Sequence, residues 1–326
     1  MPKVSVIIPI YGVEKYIERC ARSLFEQTLD DIEYIFINDC TKDCSVEILE
    51  GILKEYKKRV LQTRIVSMSS NSGQAVVRRY GIQLAKGEYI IHCDSDDWVE
   101  PMMYETMYDK AKLGDYDVVI CDYFISEGIG KDTLVSANVP VDRVALIKAF
   151  FNNKVHGSVW NKLVRTSLYT QVMCYPKDDM LEDLVLSTQV VYYSNRIAHI
   201  SQPFYHYFVN ESSISRAPSL EQLKKRFIQQ QNNYLLIETF LKKMQVFDVF
   251  VNDFLKLKSI FKIGNASMGC YRETRKLWIE SCPELQGQMG TLNISFSDKC
   301  KYLLGYLGLY SFVYKYILNP LKLVLR

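Results

Sequence analysis

The 326-residue chain has no run of 18 uncharged apolar residues, so a membrane-crossing helix is not expected. It also lacks Gly-x-Gly-x-x-Gly and Gly-x-x-x-x-Gly-Lys-Ser/Thr, so neither a dinucleotide oxidoreductase nor a common nucleoside triphosphatase is favoured. Only four histidines occur, at 92, 156, 199 and 206, and they form no metal-binding spacing. His92 reads as a packed strand residue. His156 and His206 could line a substrate, or belong to plain strand structure, and stay outside the catalytic list. The nine cysteines show no paired ligand knuckles and no Cys–His nucleophile arrangement. Cys40 and Cys44 stand four apart, but no second pair supports them as a metal site. Free thiols in a reducing compartment fit better than a disulfide framework. Met1-Pro2-Lys3-Val4 enters a strand at once, which is not the pattern of a signal peptide. No internal repeat or low-complexity segment is visible.

What is present describes a folded protein with a large core, 48% apolar and 24% charged. The formal charge of +3 is uneven. Residues 1–210 hold 23 Lys/Arg against 28 Asp/Glu, and residues 211–326 hold 17 against 9. The acidic front reads as a catalytic body and the basic back as an appendage suited to anionic lipid or polymer. Nucleic-acid binding has little support, because the positive charge carries no recognition motif.

Val4-Ser5-Val6-Ile7-Ile8 is nearly continuous and β-branched, as in a strand covered on both faces. Glu14–Glu26 follows with a helical stripe, then a strand at 32–37, a helix from Asp43-Cys44-Ser45 to about Lys58, and a strand at 63–68. A helix at 74–86 and a strand at 88–93 complete the first hundred residues. This alternation predicts a mostly parallel, βαβ-built α/β sheet flanked by helices. Helix 101–112, strand 117–121, a loop or short hairpin at 126–140 and helix 141–153 come next. Leu184–Tyr193 reads as a helix, and 197–201 and 204–209 as strands. From Leu220 the pattern turns to helices at 220–244, 246–263 and 270–281. The expected division is therefore 1–215, with a first half of 1–100 and a second of 101–215, and a helical region at 216–326.

Polar residues gather just after the strands: Tyr11, Asp39, Asn71, and Asp94-Ser95-Asp96-Asp97. Ligands of open α/β sheets bind at that carboxyl edge. Three carboxylates there repel one another unless a cation joins them. An acidic turn capping the next helix is the plainer alternative. The placement favours a hard divalent cation, Mn²⁺ or Mg²⁺, shared with substrate phosphates. Tyr11 could stack on a base and Asp39 could accept from a base or ribose, though Tyr11 is equally readable as a turn aromatic. A second acidic cluster, Glu182-Asp183, opens the helix at 184–193, where it would also complement the helix dipole.

These stretches together make the chain resemble a family 2 glycosyltransferase of the GT-A type, the kind that builds bacterial cell-surface polysaccharides. The matching residues are Val4–Tyr11, Glu14–Ile17, Ser23–Thr28, Asn38-Asp39 with Asp43, Asn71-Ser72-Gly73 with Arg78 and Gly81, Ala85–Tyr89 and Asp94–Asp97. Trp160-Asn161-Lys162-Leu163 and Glu182-Asp183 are weaker echoes, and the likeness covers about 3–210. The resemblance implies a GT-A fold and transfer from a nucleoside diphosphate sugar to a glycan acceptor, in some relatives lipid-linked. Pro9, Tyr11, Glu14, Asp39, Asn71, Arg78, Asp94 and Ser95 would bind the nucleotide sugar, and Asp96 would meet the metal and diphosphate. Asp183 would be the general base, with Asp97, Trp160, Lys162 and Glu182 on the acceptor side. Three departures bear on substrate preference: Gly12 where Asn is common, Cys40–Ser45 in place of Gly-Ser-Thr-Asp-Gly-Ser, and Arg79 where Asn often follows Arg78. A sugar nucleotidyltransferase and a non-catalytic glycan- or membrane-binding scaffold are the rival readings. Leu303–Tyr314 is a twelve-residue uncharged stretch between Lys301 and Lys315. It suits an interfacial helix on the inner face of the cell membrane or a helix docked on the catalytic body, with the lipid-linked acceptors of the family favouring the membrane. A cytoplasmic protein is expected.

Overall fold

The computed structural model describes residues 1–315 apart from 129, 137, 211–218, 291 and 293. The chain divides into two compact units, Met1–Phe150 with Lys154–Arg216, and Phe151–Asn153 with Ala217–Arg326.

In the first unit β1 (Val4–Ile10), α1 (Ile17–Phe25), β2 (Ile32–Asn38), α2 (Ser45–Leu53), β3 (Thr63–Ser67), α3 (Gln74–Leu84) and β4 (Tyr89–His92) alternate as the periodicity requires. Every β1 residue but Pro9 is buried, which is why its apolar run is unbroken. The segment read as the end of one long helix to Lys58 instead leaves α2 at Leu53 and makes a 3-10 turn over Lys57–Gln62. Arg59 draws it inward. Its buried guanidinium donates to the carbonyls of Phe25, at the end of α1, and of Gln27 and Leu29 in the loop that follows.

β5 (Trp98–Val99), α4 (Met103–Leu113), β6 (Val118–Ser126), β7 (Asp132–Val135), α5 (Arg143–Phe151), β8 (Lys162–Arg165), α6 (Thr166–Tyr169), α7 (Glu182–Tyr193) and β9 (Ile197–Phe208) follow. The sheet order is β3-β2-β1-β4-β8-β6-β9-β5, with β7 paired to β6 as a hairpin. β3, β2, β1 and β4 are mutually parallel, as expected. Beyond them the sheet is mixed rather than mostly parallel. β8 enters antiparallel between β4 and β6, while β9 lies parallel to β6 and antiparallel to β5. The two strands expected at 197–201 and 204–209 are one strand with an irregularity where Asp122 faces Pro203. Proline cannot donate to the ladder, so the register shifts there.

β1, β2, β3 and β4 end at Ile10, Asn38, Ser67 and His92, and parallel pairing brings these ends to one edge. The residues that follow them share that edge. The second unit is helical: α8 (Leu220–Lys243), α9 (Phe247–Gly264), α10 (Arg272–Glu280), α11 (Phe296–Leu307) and α12 (Tyr310–Val313). Trp278 fills its centre and donates Nε1–H to the Lys262 carbonyl at 2.9 Å. Gly269 lies directly against the Gly305 backbone, which leaves no room for a side chain and lets α11 dock closely. All nine cysteines are free thiols.

Candidate active site at the carboxyl edge of the sheet

The Asp94–Asp97 turn is held from three sides. Asp94 Oδ1 accepts from Arg78 Nη2 at 2.6 Å and Gln74 Nε2 at 3.1 Å, both from α3. The Asp94 N–H donates to the Tyr205 hydroxyl at 3.0 Å, and that hydroxyl donates to Asp97 Oδ2 at 2.6 Å. The Phe208 N–H donates to Asp97 Oδ1 at 2.7 Å. Asp96 accepts on Oδ2 from Asn210 Nδ2 at 3.1 Å, and its carbonyl accepts from Arg19 Nη2 at 2.8 Å. The Arg19 guanidinium lies over Trp98, 3.8 Å from the ring centre, so the turn is also braced from α1. Ser95 is buried within it.

The three carboxylates are not equivalent. Burial, then repulsion from Asp96 and Asp94, pushes Asp97 well above the usual carboxylate range. Burial and repulsion from Asp94 also raise Asp96. Asp97 was expected on the acceptor side, but it points into the protein and both oxygens are committed to β9. It ties the turn to that strand.

The first three strand ends form a linked set of loops. Tyr11 is 51% exposed, and Pro9 beneath it is half-buried. Asp43 joins the loop after β1 to the start of α2, accepting from the Glu14 N–H at 3.0 Å and from the hydroxyls of Thr41 and Ser45 at 2.6 Å. Glu14 is exposed, and its Oε2 accepts from the Cys44 N–H at 3.3 Å. Cys40 stands where the resembled family prefers glycine, and its φ of +56° is the left-handed region that glycine adopts freely. Its thiol donates to the Met68 carbonyl at 3.0 Å, a contact that offsets part of that cost.

Asp39 was expected to read a base or ribose. Its carboxylate instead accepts the N–H groups of Ser72 at 2.7 Å and Gly73 at 2.9 Å, and Asn71 Nδ2 reaches its carbonyl at 3.3 Å. Asp39 thus shapes the entrance to α3, with further lone pairs on both oxygens. Gly73 has φ +86°, and a Cβ there would fall 2.6 Å from Asp179 Oδ1, so this position needs glycine. The same Asp179 oxygen accepts the Ala75 N–H at 3.0 Å, capping α3 from the second acidic segment.

Arg78 joins the two acidic clusters. Besides Asp94, its Nε donates to Glu182 Oε1 at 3.0 Å. It was expected to line the nucleotide side of a pocket, but its side chain is buried and acts as a bridge. Burial alone would lower its pKa; Asp94, Glu182 and Asp183 more than reverse that. Glu182 is buried too, and burial followed by Asp183 pushes its carboxyl up against the pull of Arg78.

Leu181, at φ +69°, turns the chain so that Glu182 and Asp183 begin α7, where the helix dipole favours negative charge. Asp183 is half-exposed, and its Oδ1 accepts the Leu184 N–H at 2.7 Å. Trp160 and Lys162 were expected to face an acceptor. They are 4% and 1% exposed, so neither side chain presents a surface to a ligand. Lys162 Nζ donates to the carbonyls of His156 at 2.9 Å and Ser158 at 2.7 Å and to Asn161 Oδ1 at 2.9 Å. Burial pulls its pKa down to about 7, with Asp183 opposing. Three acceptors match the three hydrogens of an ammonium, so this geometry favours the charged form.

Sequence reasoning did not single out Gln74, Arg19, Tyr205 or Asn210. Each meets the Asp94–Asp97 turn across 20 to 114 residues. No local spacing could have signalled them.

The model of the Glycosyl transferase family 2 matches residues 5–173. The chain belongs to that family. A putative glycosyltransferase of Bacillus subtilis, EpsH, is 33% identical over 266 residues, spanning 76% of this chain and 74% of its own length. Among solved structures, residues 1–349 of Staphylococcus aureus TarS superpose with a TM-score of 0.66 at 20% identity, covering 96% of this chain and 91% of that one. Against a longer TarS chain the coverage is 54%. A Pyrobaculum calidifontis mannosyltransferase in complex with GDP-Man and Mn²⁺ superposes with a TM-score of 0.52 at 13% identity, covering 96% and 86%. The mixed sheet with its flanking helices is the GT-A fold, and the protein is a glycosyltransferase.

Proposed function

We propose that this glycosyltransferase moves a hexose-type sugar, with inversion, from a nucleoside diphosphate sugar to a hydroxyl of a growing cell-surface glycan. The observation that carries the reading is the Arg78 bridge. Two acidic clusters almost ninety residues apart meet through one guanidinium, so a leaving-group side and a base side lie next to each other. In this account residues 1–100 hold the donor, 101–215 the acceptor, and 216–326 form the helical appendage. Tyr11, Pro9, Glu14, Asn71 and the Asp39-shaped loop border the nucleotide, and Asp94 with Ser95 the sugar.

The acceptor oxygen attacks the anomeric carbon as the bond to the diphosphate oxygen breaks, and its electron pair leaves with the diphosphate. The acceptor proton passes to an Asp183 carboxylate oxygen. The charges of Arg78 and Lys162 lie close enough to Asp183 to interact with it. Asp96 offers hard oxygen beside Asp94, and the mutual repulsion of these carboxylates fits a divalent cation. Among the described residues no group of three His, Cys, Asp or Glu could hold a metal by itself, which suits a site completed by diphosphate oxygens. Mn²⁺ or Mg²⁺, when bound, would neutralise charge on the leaving diphosphate. The test is release of nucleoside diphosphate from a panel of nucleotide sugars, with and without Mn²⁺ or Mg²⁺. Family membership makes the sugar nucleotidyltransferase and scaffold readings unnecessary.

The second unit supports contact with the inner face of the cell membrane. No described helix is long and apolar enough to cross a membrane. Phe296, Leu303, Tyr306 and Leu307 on α11, and Leu309 and Phe312 beyond it, are exposed, with Lys299, Lys301 and Lys315 among them. That pairing of apolar and basic residues suits an anionic interface and a lipid-linked acceptor. Flotation with vesicles containing anionic lipid should carry the protein, and Leu303→Asp with Phe312→Asp should abolish this. Equal flotation of the double variant would remove the membrane role.

A further inference from the structure

Trp160 is the middle of an aromatic stack that the transfer chemistry leaves unused. Tyr205 and Tyr207 lie two apart on β9 and so share a face of the sheet. The Trp160 ring stacks on Tyr205 at 4.3 Å and 15°, and lies nearly parallel to Tyr207 at 5.9 Å and 17°. Tyr123 meets Trp160 edge-on at 4.8 Å, and His156 lies over it at 5.8 Å and 27°. The stack has a buried base and an open rim. Trp160 and Tyr205 are buried, Tyr123 and Tyr207 are half-buried, and His156 is exposed.

The rim is also chemically free. Neither the Tyr123 nor the Tyr207 hydroxyl makes a hydrogen bond among the described residues. His156 Nδ1 accepts the Ser158 N–H at 3.2 Å, so the proton of the neutral ring sits on Nε2 as a donor. The charge of Asp183 acts on both Tyr207 and His156. Through Tyr205, whose hydroxyl holds Asp94 and Asp97, the stack is fixed to the donor-side turn. Rigid rings with apolar faces and free polar edges match a pyranose, which has C–H-rich faces and a rim of hydroxyls.

We propose that Tyr207, with Tyr123 and His156 around the buried Trp160, is the platform on which the acceptor's terminal pyranose ring stacks beside Asp183. This rests on the glycan-acceptor reading above. Trp160 acts from beneath, fixing the tilt of the exposed rings.

The test uses the full chain with UDP or GDP and Mn²⁺, and methyl β-glucopyranoside and methyl β-galactopyranoside as probes. Saturation transfer should reach the C–H protons of one pyranoside in the wild type. Tyr207→Ala should weaken that binding roughly tenfold, and Tyr207→Phe should stay within about threefold, because the ring face carries the contact. Nucleoside diphosphate affinity should not move in either variant, and both should remain folded at the assay temperature, with Tyr207→Ala melting somewhat lower because Tyr207 packs on the core. The platform is overturned if neither pyranoside binds the wild type, if Tyr207→Ala binds as well as the wild type, or if that variant loses nucleotide instead. Failure of the wild type to bind either nucleoside diphosphate would count against the donor reading, while the pyranoside result is scored separately.

Discussion

Asp183→Asn should lower the transfer rate by roughly 10²–10⁴-fold, the range of a lost general base. The substitution is chosen for what it leaves alone. Asparagine Oδ1 can still accept the Leu184 N–H that Asp183 accepts at 2.7 Å, so the start of α7 is preserved. The group is half-exposed, and buried Lys162, whose charge it supports, keeps its three hydrogen-bond acceptors. Nucleoside diphosphate affinity and the melting temperature should therefore stay close to the wild type. The measurement is kcat at saturating donor and acceptor, with KM for each. A fall confined to kcat supports base catalysis, whereas a kcat within about threefold of the wild type would remove Asp183 from the mechanism.

Arg78→Met should cost about 3–5 kcal/mol of folding stability, because it breaks a buried ion network from its centre. The methionine fills much of the volume, so the loss is electrostatic. Asp94 and Glu182 would face each other across an apolar side chain, and Glu182, already pushed up by burial, would take a proton to remain inside. Arg78→Lys keeps the charge but cannot reach both carboxylates with a planar fork, so it should fall between wild type and Met. Urea unfolding of the three proteins checks this. Equal midpoints would mean that the bridge is not what holds the two acidic clusters together. Transfer by Arg78→Met should be lost even where it remains folded, since Asp94 would no longer be aimed.

The first hundred residues were legible because their strands are local and nearly pure. Val4–Ile10 and Ile32–Asn38 announce themselves by continuous burial, and short crossovers leave little choice of topology. β8 was not legible. Four residues, Lys162–Arg165, carry no period, and their antiparallel place between β4 and β6 depends on partners more than forty residues away. The break at Pro203 divided one strand into two by local reading, although a proline facing a bulge is compatible with continuity.

The site divides in the same way. Its carboxylates are visible as runs, but their orientation is not. Asp97 and Asp96 are neighbours with the same side chain, yet one is locked to Tyr205 and Phe208 and the other is met by Asn210. Alternation along the chain sends adjacent side chains apart, and only the position of β9 decides which turns inward. Trp160 and Lys162 show the converse. Their motif reads as surface, but both side chains are buried, and the more accessible rings around Trp160 are Tyr123, His156 and Tyr207.

The most direct measurement is nucleoside diphosphate release by the wild type and by Asp96→Asn, across UDP- and GDP-sugars with Mn²⁺ or Mg²⁺. The account predicts release from one donor class by the wild type, dependent on the metal and faster with an acceptor glycan. It predicts almost none from the folded Asp96→Asn protein. Comparable metal-dependent release by the variant would contradict the role given to Asp96, and release from no nucleotide sugar would contradict the proposed donor chemistry.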